Sequence, residues 1–306
     1  MTLQEFMQQY SSESSCKEAF KQYRLKVGVV CKKCQHDQHY WLSTLDQFKC
    51  KNCGFRTGLK SGTALEASKL PYHYWLTAMF LMTKNKRSIS SCDLQRMLGH
   101  KRNEPIWLMM HKIRISMGNR DDLYTLKGTV EMDEAFFETV DPDQLHAPLK
   151  RGRGSQKQSA VMVIAESEEV EEKKQGKHRK KRRCGYFKMR VMDDLTSVTI
   201  NKITSETVDY QSTVLTDGYK SYNKLKKVVA VHHATVCPPK LASKQLPWVH
   251  TAIANAKRVM LGAYHRINKE YLQNYLDEFC YRLNRRYFSN MFERLMIAAC
   301  SAAWYI

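Results

Sequence analysis

The sequence lacks any apolar stretch long enough to cross a membrane. Its longest apolar run, residues 296–306, is about half of the roughly 20 residues that a transmembrane helix needs. The first residues, MTLQEFMQQYSSES, also lack the apolar segment that follows a charged start in a secretory signal. We therefore expect no membrane partner and a cytoplasmic protein.

Acidic residues are scarce relative to basic ones. The 306 residues include 50 Lys and Arg but 30 Asp and Glu, which gives a formal net charge of +20. A charged block at 166–183 holds acids and bases together, so most of the surplus belongs to the rest of the chain. A surplus of this size favours a polyanionic partner, nucleic acid before an acidic membrane.

The ten cysteines show no disulfide pattern, which suits a reducing compartment. Four of them form two CxxC pairs, at Cys31 and Cys34 and at Cys50 and Cys53. Two such pairs predict a tetrahedral Zn²⁺ site, and four thiolates leave no open position for catalysis, so the zinc is structural. Residues 39–41 and 47–49 predict the hairpin of a zinc ribbon. The alternative is four unrelated reduced cysteines.

Apolar residues at helical spacing predict the next elements, helices at 71–83, 90–98 and 104–117. Gly99 separates the second helix from the longer, basic third one. This order is typical of a helix-turn-helix, in which Lys112 and Arg114 would meet DNA phosphates. A three-helix bundle without DNA contact is the alternative.

Residues 128–137, GTVEMDEAFF, predict a buried strand with Asp133 at its centre. An unpaired carboxylate is costly to bury, so Asp133 needs a partner. A turn or a salt bridge could supply it. A polar loop follows, in which Arg151 and Arg153 suit either phosphate contact or a flexible turn.

The sequence predicts further elements of the same sheet after this strand. They are strands at 159–165 and 186–192, a helix at 196–207, and a strand at 212–216 that is followed directly by Asp217. We expect residues 166–184 to form a charged flexible loop. In one sheet the middle of the first strand and the end of the fourth can lie side by side, so Asp133 and Asp217 could converge. Two carboxylates are suitable ligands for Mg²⁺ or Mn²⁺ in phosphoryl transfer.

A helix predicted at 247–262 begins with a proline, which suits a first helical turn. His250 and Lys257 are seven residues apart and share a face, whereas Asn255 points about 140° away from His250. The helix can thus offer one metal ligand and one cation on the same side, followed by Arg258. A surface histidine is the simpler interpretation.

Taken together, these segments resemble the DDE-type transposases of prokaryotic insertion sequences that have a zinc ribbon and a ribonuclease-H-like catalytic domain. The resemblance covers residues 28–287 and rests on CKKC, CKNCG, GTVEMDEAFF, LTDGYKSYN and PWVHTAIANAKRVMLGAYH. It implies strand transfer at element ends with Mg²⁺, by a multimer assembled on double-stranded DNA. It also implies that Asp133 and Asp217 are the first two acids, that His250 stands at the third, and that Lys257 is the associated cation.

The expected fold is α/β, a ribonuclease-H-like mixed sheet with flanking helices. We expect a helical lead-in at 1–27, a zinc ribbon at 28–62, a helix-turn-helix region at 63–122 and the catalytic domain at 123–306. Two other functions remain open. A DNA-binding regulator would use only residues 1–120, and a metal-dependent nuclease or resolvase of the same fold would hydrolyse DNA without joining it.

Overall fold

The computed structural model describes residues 1–85, 87–141, 155, 157–169, 182–236, 244–264 and 266–301. The chain forms two compact units, Met1–Arg120 with Arg285–Ile306, and Asp121–Asn284. Residues 285–306, which the sequence analysis placed with the catalytic domain, group with the first unit instead. No helix of the described part is both long and apolar enough to span a bilayer.

The first unit is built around four helices that share one apolar core, α1 Leu3–Gln9, α2 Glu13–Val27, α3 Tyr72–Lys84 and α9 Met291–Ser301. Phe6 stacks on Phe80 at 4.2 Å between ring centroids and meets Phe292 edge-on at 5.7 Å. Arg24 donates a hydrogen bond to the carbonyl of Cys300 at 2.8 Å. The C-terminal helix therefore packs with the N-terminal segments, which sequence periodicity alone did not indicate.

A small antiparallel sheet lies in the same unit, formed by β1 His39–Leu42, β2 Gln47–Cys50 and β3 Arg56–Gly58. β1 and β2 pair from His39 with Cys50 to Leu42 with Gln47. The hairpin predicted between the two CxxC pairs is confirmed, and β3 adds a third strand to it.

The segment predicted as a helix-turn-helix contains α4 Ser91–Leu98 and α5 Glu104–Asp122. Gly99 ends α4 in a left-handed conformation with φ of 64°, which glycine adopts without strain. α5 is longer than predicted, and its residues 109–114 and 116–118 are buried. Its exposed side chains are confined to the first turns and to Asn119 and Asp122 at the other end. The middle of α5 is therefore a core helix and cannot lie in a DNA groove.

The second unit contains a five-stranded mixed sheet in the order β6-β5-β4-β7-β8. Its strands are β4 Thr129–Glu138, β5 Gln158–Glu169, β6 Arg182–Met192, β7 Thr213–Thr216 and β8 Val231–Ala234. β4, β5 and β6 pair antiparallel, whereas β7 and β8 run parallel to β4. This is the ribonuclease-H-like arrangement that was expected. β8 was not predicted, because it is only four residues long, has two histidines at its centre and is mostly exposed.

Helices cover both faces of this sheet. α6 Ser197–Thr207 and a 3-10 helix, Lys220–Lys227, pack on one face, with Tyr222 and Leu225 buried against β4 and β5. α7 Pro247–Ala263 and α8 Leu272–Asn284 pack on the other face. Because side chains alternate along a strand, each residue of β4 belongs to one of these two layers.

The charged segment between β5 and β6 differs from the prediction at its ends. Both strands extend into it, and Glu168 pairs with Arg183 and Glu169 with Arg182. Opposite charges on facing strands stabilise the pairing, so acids and bases that suggested a solvated loop prolong the hairpin. The rest of the predicted loop, residues 170–181, lies outside the described residues.

Gly185 on β6 has no room for a side chain. A Cβ atom there would lie 2.9 Å from the Cβ of Glu166 and 2.6 Å from its Oε2. That carboxylate accepts hydrogen bonds from the backbone N–H groups of Lys127 and Tyr186. We expect Gly185→Ala to lower the free energy of unfolding by about 1–3 kcal/mol, measured by urea titration.

Gly262, near the end of α7, provides the control, since a Cβ there meets no atom within 4 Å. Gly262→Ala should raise the free energy of unfolding by about 0.5–1 kcal/mol, because alanine restricts the unfolded chain. An unchanged stability in Gly185→Ala would contradict the steric argument.

Candidate functional site

Alternation along β4 directs a row of side chains toward α7. Ala135 and Phe137 belong to the core shared with α7 and α8, whereas Val130 and Met132 belong to the core on the opposite face. By the same alternation, Asp133 faces α7. The predicted strand thus places its central acid under the helix that was expected to complete the site.

Asp217 follows β7, the parallel neighbour of β4. The two strands pair Thr129 with Thr213 and Glu131 with Leu215. Continuing this register by two residues sets Asp133 beside Asp217, on the same face. Asp217 accepts the N–H of Tyr219 at 3.0 Å, and Asp133 accepts the N–H of Glu134 at 2.9 Å. One oxygen of each carboxylate is therefore oriented by local backbone.

His250, in the first turn of α7, completes this group. Its Nε2 lies 3.8 Å from Oδ2 of Asp133. Burial lowers the pKa of His250 below its usual value of 6.5, so the imidazole is neutral at pH 7 and has a lone pair for a metal.

Two further acids near Asp133 were not singled out from the sequence. Glu131 is 1% exposed, and its Oε2 accepts the N–H groups of Trp248 and Val249 at 2.8 and 3.2 Å, at the start of α7. The reasoning that an acid in a buried strand needs a partner applies to Glu131 as much as to Asp133 and could have found it.

Glu134 lies on the opposite face of β4, with Tyr222. Burial raises the pKa of Glu134 to about 7, the hydrogen bond with Tyr222 opposes this, and the Asp133 and Asp217 carboxylates add to it. The same two aspartates raise the pKa of Tyr222, after the effect of burial. These electrostatic effects are consistent with Asp133 and Asp217 lying at neighbouring positions.

Lys257 lies further along the same side of the fold. Its Nζ is 5.8 Å from the ring centroid of Phe137, four residues after Asp133 on β4. From His250 to Lys257 the helix rises about 10 Å, and from Asp133 to Phe137 the strand rises about 13 Å. Because His250 lies near Asp133 and Lys257 near Phe137, α7 and β4 run in the same direction. Lys257 is therefore placed beyond the carboxylates along the strand.

The side chains of Asp133, Asp217 and His250 are suitable ligands for a divalent cation, and one of the distances between them fits a shared ion. Two ligands about 2.1 Å from one ion lie at most about 4.2 Å apart, and the 3.8 Å between Asp133 and His250 meets this limit. Asp217 is not gathered as closely. Within the described residues, Cys31, Cys34, Cys50 and Cys53 form the only group of three or more metal-ligating side chains whose ligand atoms all lie within 4.8 Å.

The four cysteines form a second site in the first unit, and their sulfur atoms fit zinc. Sγ of Cys31 lies 3.5 Å from that of Cys53, and Sγ of Cys34 lies 3.5 Å from that of Cys50. Tetrahedral thiolates about 2.3 Å from Zn²⁺ are about 3.8 Å apart.

The backbone around each CxxC pair repeats one pattern. Gln35 donates to the carbonyl of Cys31, and Gly54 to that of Cys50, at 2.9 and 3.1 Å. Both residues have left-handed φ angles, 59° and 72°. The two knuckles are thus equivalent in conformation, although only the second has the glycine that this φ favours.

Comparison with protein families decides what the two sites belong to. Residues 125–284 match the model of the ISXO2-like transposase domain, and residues 11–56 match that of the transposase zinc-ribbon domain. The chain belongs to the ISXO2-like transposase family. It is a DNA transposase by family, its four-cysteine cluster is the zinc site of the transposase zinc ribbon, and the resemblance read from the sequence is confirmed.

Solved structures show weaker likeness to this transposase. The Mos1 transposase paired-end complex with left transposon end is 12% identical, over 78% of this chain and 82% of that chain, with a TM-score of 0.29. The Mos1 mariner paired end complex with Mn is 13% identical, over 76% and 78%, with a TM-score of 0.27. Such values support no conclusion about fold or function. A comparison with curated proteins gives no match.

The residues predicted to contact DNA differ in whether the structure exposes them. Lys112 and Arg114 are only 4% and 2% exposed, and Lys112 donates to the carbonyl of Glu66 at 2.7 Å. The structure does not present them to phosphate, because they lie in the buried part of α5. Lys257 and Arg258 are exposed, and Arg151 and Arg153 lie outside the described residues.

We expect Cys50→Ser to abolish the stoichiometric binding of one Zn²⁺ per chain and to unfold the ribbon, since a structural zinc supplies much of the folding free energy of such a module. End binding should weaken while the second unit keeps its thermal transition. Metal analysis and differential scanning calorimetry of the purified protein test this.

Cys92→Ser is the matched control, because Cys92 is an exposed free cysteine outside the cluster. It should keep its zinc and its end binding. A zinc content near zero in the wild-type protein, with DNA binding intact, would contradict the zinc assignment.

Proposed function

We propose that the chain cleaves DNA at the ends of an insertion sequence and joins the freed 3′ ends to target DNA, with Asp133, Asp217 and His250 holding the catalytic Mg²⁺ or Mn²⁺. The observation that carries this proposal is the parallel register of β4 and β7, with His250 3.8 Å from Asp133. This register and this distance support a site in which two carboxylates and a neutral imidazole share one face of the sheet.

When bound there, the metal activates the attacking oxygen and neutralises charge on the leaving oxygen. The residues of the chain hold and orient the reactants. The oriented carboxylates of Asp133 and Asp217 supply hard oxygen ligands. Because burial lowers the pKa of His250, its imidazole is neutral and can offer a nitrogen to the metal without first losing a proton. Lys257 is exposed and suited to hold a phosphate of the bound strand.

Double-stranded DNA, at the element ends and at the target, is the proposed partner. The net charge of +20 favours it, and so does membership of a transposase family with a zinc ribbon. Since an element has two ends to be joined to one target, we propose that a homo-oligomer assembles on the DNA.

The non-catalytic regulator has weaker support. It would leave the 3.8 Å approach of His250 to Asp133, and the register that sets Asp217 on the same face, without a role. A nuclease or resolvase would use the same residues to hydrolyse DNA with water, but would not use the freed 3′-hydroxyl to attack target DNA.

Asp133→Asn and Asp217→Asn should each reduce end cleavage by about a thousandfold, because each removes a charged ligand from the site. DNA binding should stay equal or become tighter, since negative charge beside the DNA is lost. Labelled terminal DNA with a supercoiled target measures binding, cleavage and joining in one experiment.

Cleavage that persists in either variant would show that the carboxylates are wrongly assigned. Cleavage without joining by the wild-type protein would favour the nuclease. Binding without either reaction, in Mg²⁺ and in Mn²⁺, would favour the regulator.

His250→Ala should lose most of the cleavage activity, whereas His250→Glu should retain Mg²⁺-dependent cleavage because it supplies a hard oxygen at the same helical position. In the wild-type protein Mn²⁺ should support cleavage at least as well as Mg²⁺, since imidazole suits the softer ion. Cleavage rates in each metal, at saturating DNA, are the measurement.

Asn255→Ala is the control on the same helix, because this side chain points about 140° away from His250. It should be milder than His250→Ala. If Asn255→Ala is inactive while His250→Ala cleaves normally, Asn255 supplies the third ligand and the assignment to His250 is wrong.

A further inference from the structure

α7 begins without a capping residue of its own. Its N-cap is Leu246, which makes no side-chain capping hydrogen bond, and Pro247 at the first helical position has no N–H. The N–H groups of Trp248 and Val249 are instead satisfied by Glu131, at 2.8 and 3.2 Å. A carboxylate from the sheet thus takes the place of a local cap.

This cap comes from the strand that carries the first catalytic carboxylate. Glu131 and Asp133 are two residues apart on one face of β4, so they lie about 7 Å apart along the strand. Their partners on α7 are consecutive, with Val249 bound to Glu131 and His250 3.8 Å from Asp133. One short piece of strand therefore fixes where the helix starts and meets its metal-ligand candidate.

Two other strands come near Glu131. Burial raises the pKa of the Glu131 carboxyl, and Ser167 of β5 and Arg182 of β6 are among the neighbours that oppose this. Arg182 of β6 donates to the hydroxyl of Ser167 at 2.8 Å and to its carbonyl at 2.6 Å. A hydroxyl and a guanidinium from the two next strands of the sheet therefore lie near a carboxylate that is 1% exposed.

We propose that Glu131 is a positioning residue of the metal site, which fixes the start of α7 so that the imidazole of His250 faces Asp133. The proposal rests on the function proposed above. A rotation of the helix by one residue position turns a side chain by about 100°, which would take His250 away from Asp133. Glu131 fixes that rotation through two backbone hydrogen bonds.

The experiment measures Mn²⁺ binding to the full-length chain without DNA, by electron paramagnetic resonance of the free ion, so that it does not depend on activity. Glu131→Gln removes the charge and one acceptor oxygen. Glu131→Asp keeps the charge and withdraws the carboxylate by about one C–C bond. Both should weaken Mn²⁺ binding about 10- to 100-fold, the usual effect of losing a group that orients a metal ligand.

Glu166→Gln is the matched control. Glu166 is also a buried glutamate of this sheet, and its carboxylate also accepts two backbone N–H groups, those of Lys127 and Tyr186. Neither donor belongs to α7. Glu166→Gln should lower the thermal midpoint as Glu131→Gln does but leave Mn²⁺ affinity within about twofold of wild type.

A double variant tests whether Glu131 acts through His250. In a His250→Ala background, Glu131→Gln should weaken Mn²⁺ binding by less than about twofold further, because the ligand that it orients is gone. Fully additive losses would overturn the proposal, and so would wild-type affinity in Glu131→Asp. If neither Glu131 variant folds where Glu166→Gln does, Glu131 is a stability residue and the proposal is rejected.

These outcomes are separate from a failure of the proposed function. If Asp133→Asn and His250→Ala leave Mn²⁺ binding unchanged, the ligand set itself is wrong. If those two variants weaken binding and Glu131→Gln does not, the ligand set stands and the positioning role of Glu131 is overturned.

Discussion

The contact between Glu131 and the first turn of α7 is the interaction on which the candidate site depends. A buried carboxylate is costly unless its oxygens are hydrogen-bonded, and the start of a helix offers unpaired N–H groups and a favourable dipole. Each needs the other, so the strand and the helix meet at one defined point. From that point, strand alternation and helical rise place Asp133 near His250 and Phe137 near Lys257.

The two faces of the sheet are different chemical environments, and alternate residues of each strand point to one face or the other. On the α7 face, Glu131 and Asp133 contact the first turn of α7, and the parallel register sets Asp217 on the same face. On the other face, Glu134 packs with Tyr222 under α6, and its pKa is raised to about 7. Asp133 and Glu134, adjacent in the sequence VEMDE, therefore lie in different environments, because consecutive residues of a strand never share a face.

Much of this could be predicted from the sequence, wherever a local pattern has one structural solution. Paired CxxC motifs, the apolar strand around Asp133 and the proline-started helix were found in this way and agree with the structure. Lys112 and Arg114 were misread because a long helix with little amphipathic contrast can be a core helix, and charge alone does not reveal burial. The docking of α9 on α2 and α3 depends on long-range packing that no local pattern encodes.

In the proposed metal site, His250 stands in place of an acid, and this makes the orientation of the side chain more important. Asp133, Asp217 and Glu131 already put three carboxylates on one face, and a fourth would add repulsion that only a bound cation relieves. A neutral imidazole adds a ligand without that charge, but its lone pair lies in one direction in the ring plane, whereas a carboxylate accepts a metal over a wide range of angles. Affinity then depends more on orientation than on attraction. A helix whose start is fixed at Val249, one residue before the proposed ligand His250, meets that requirement.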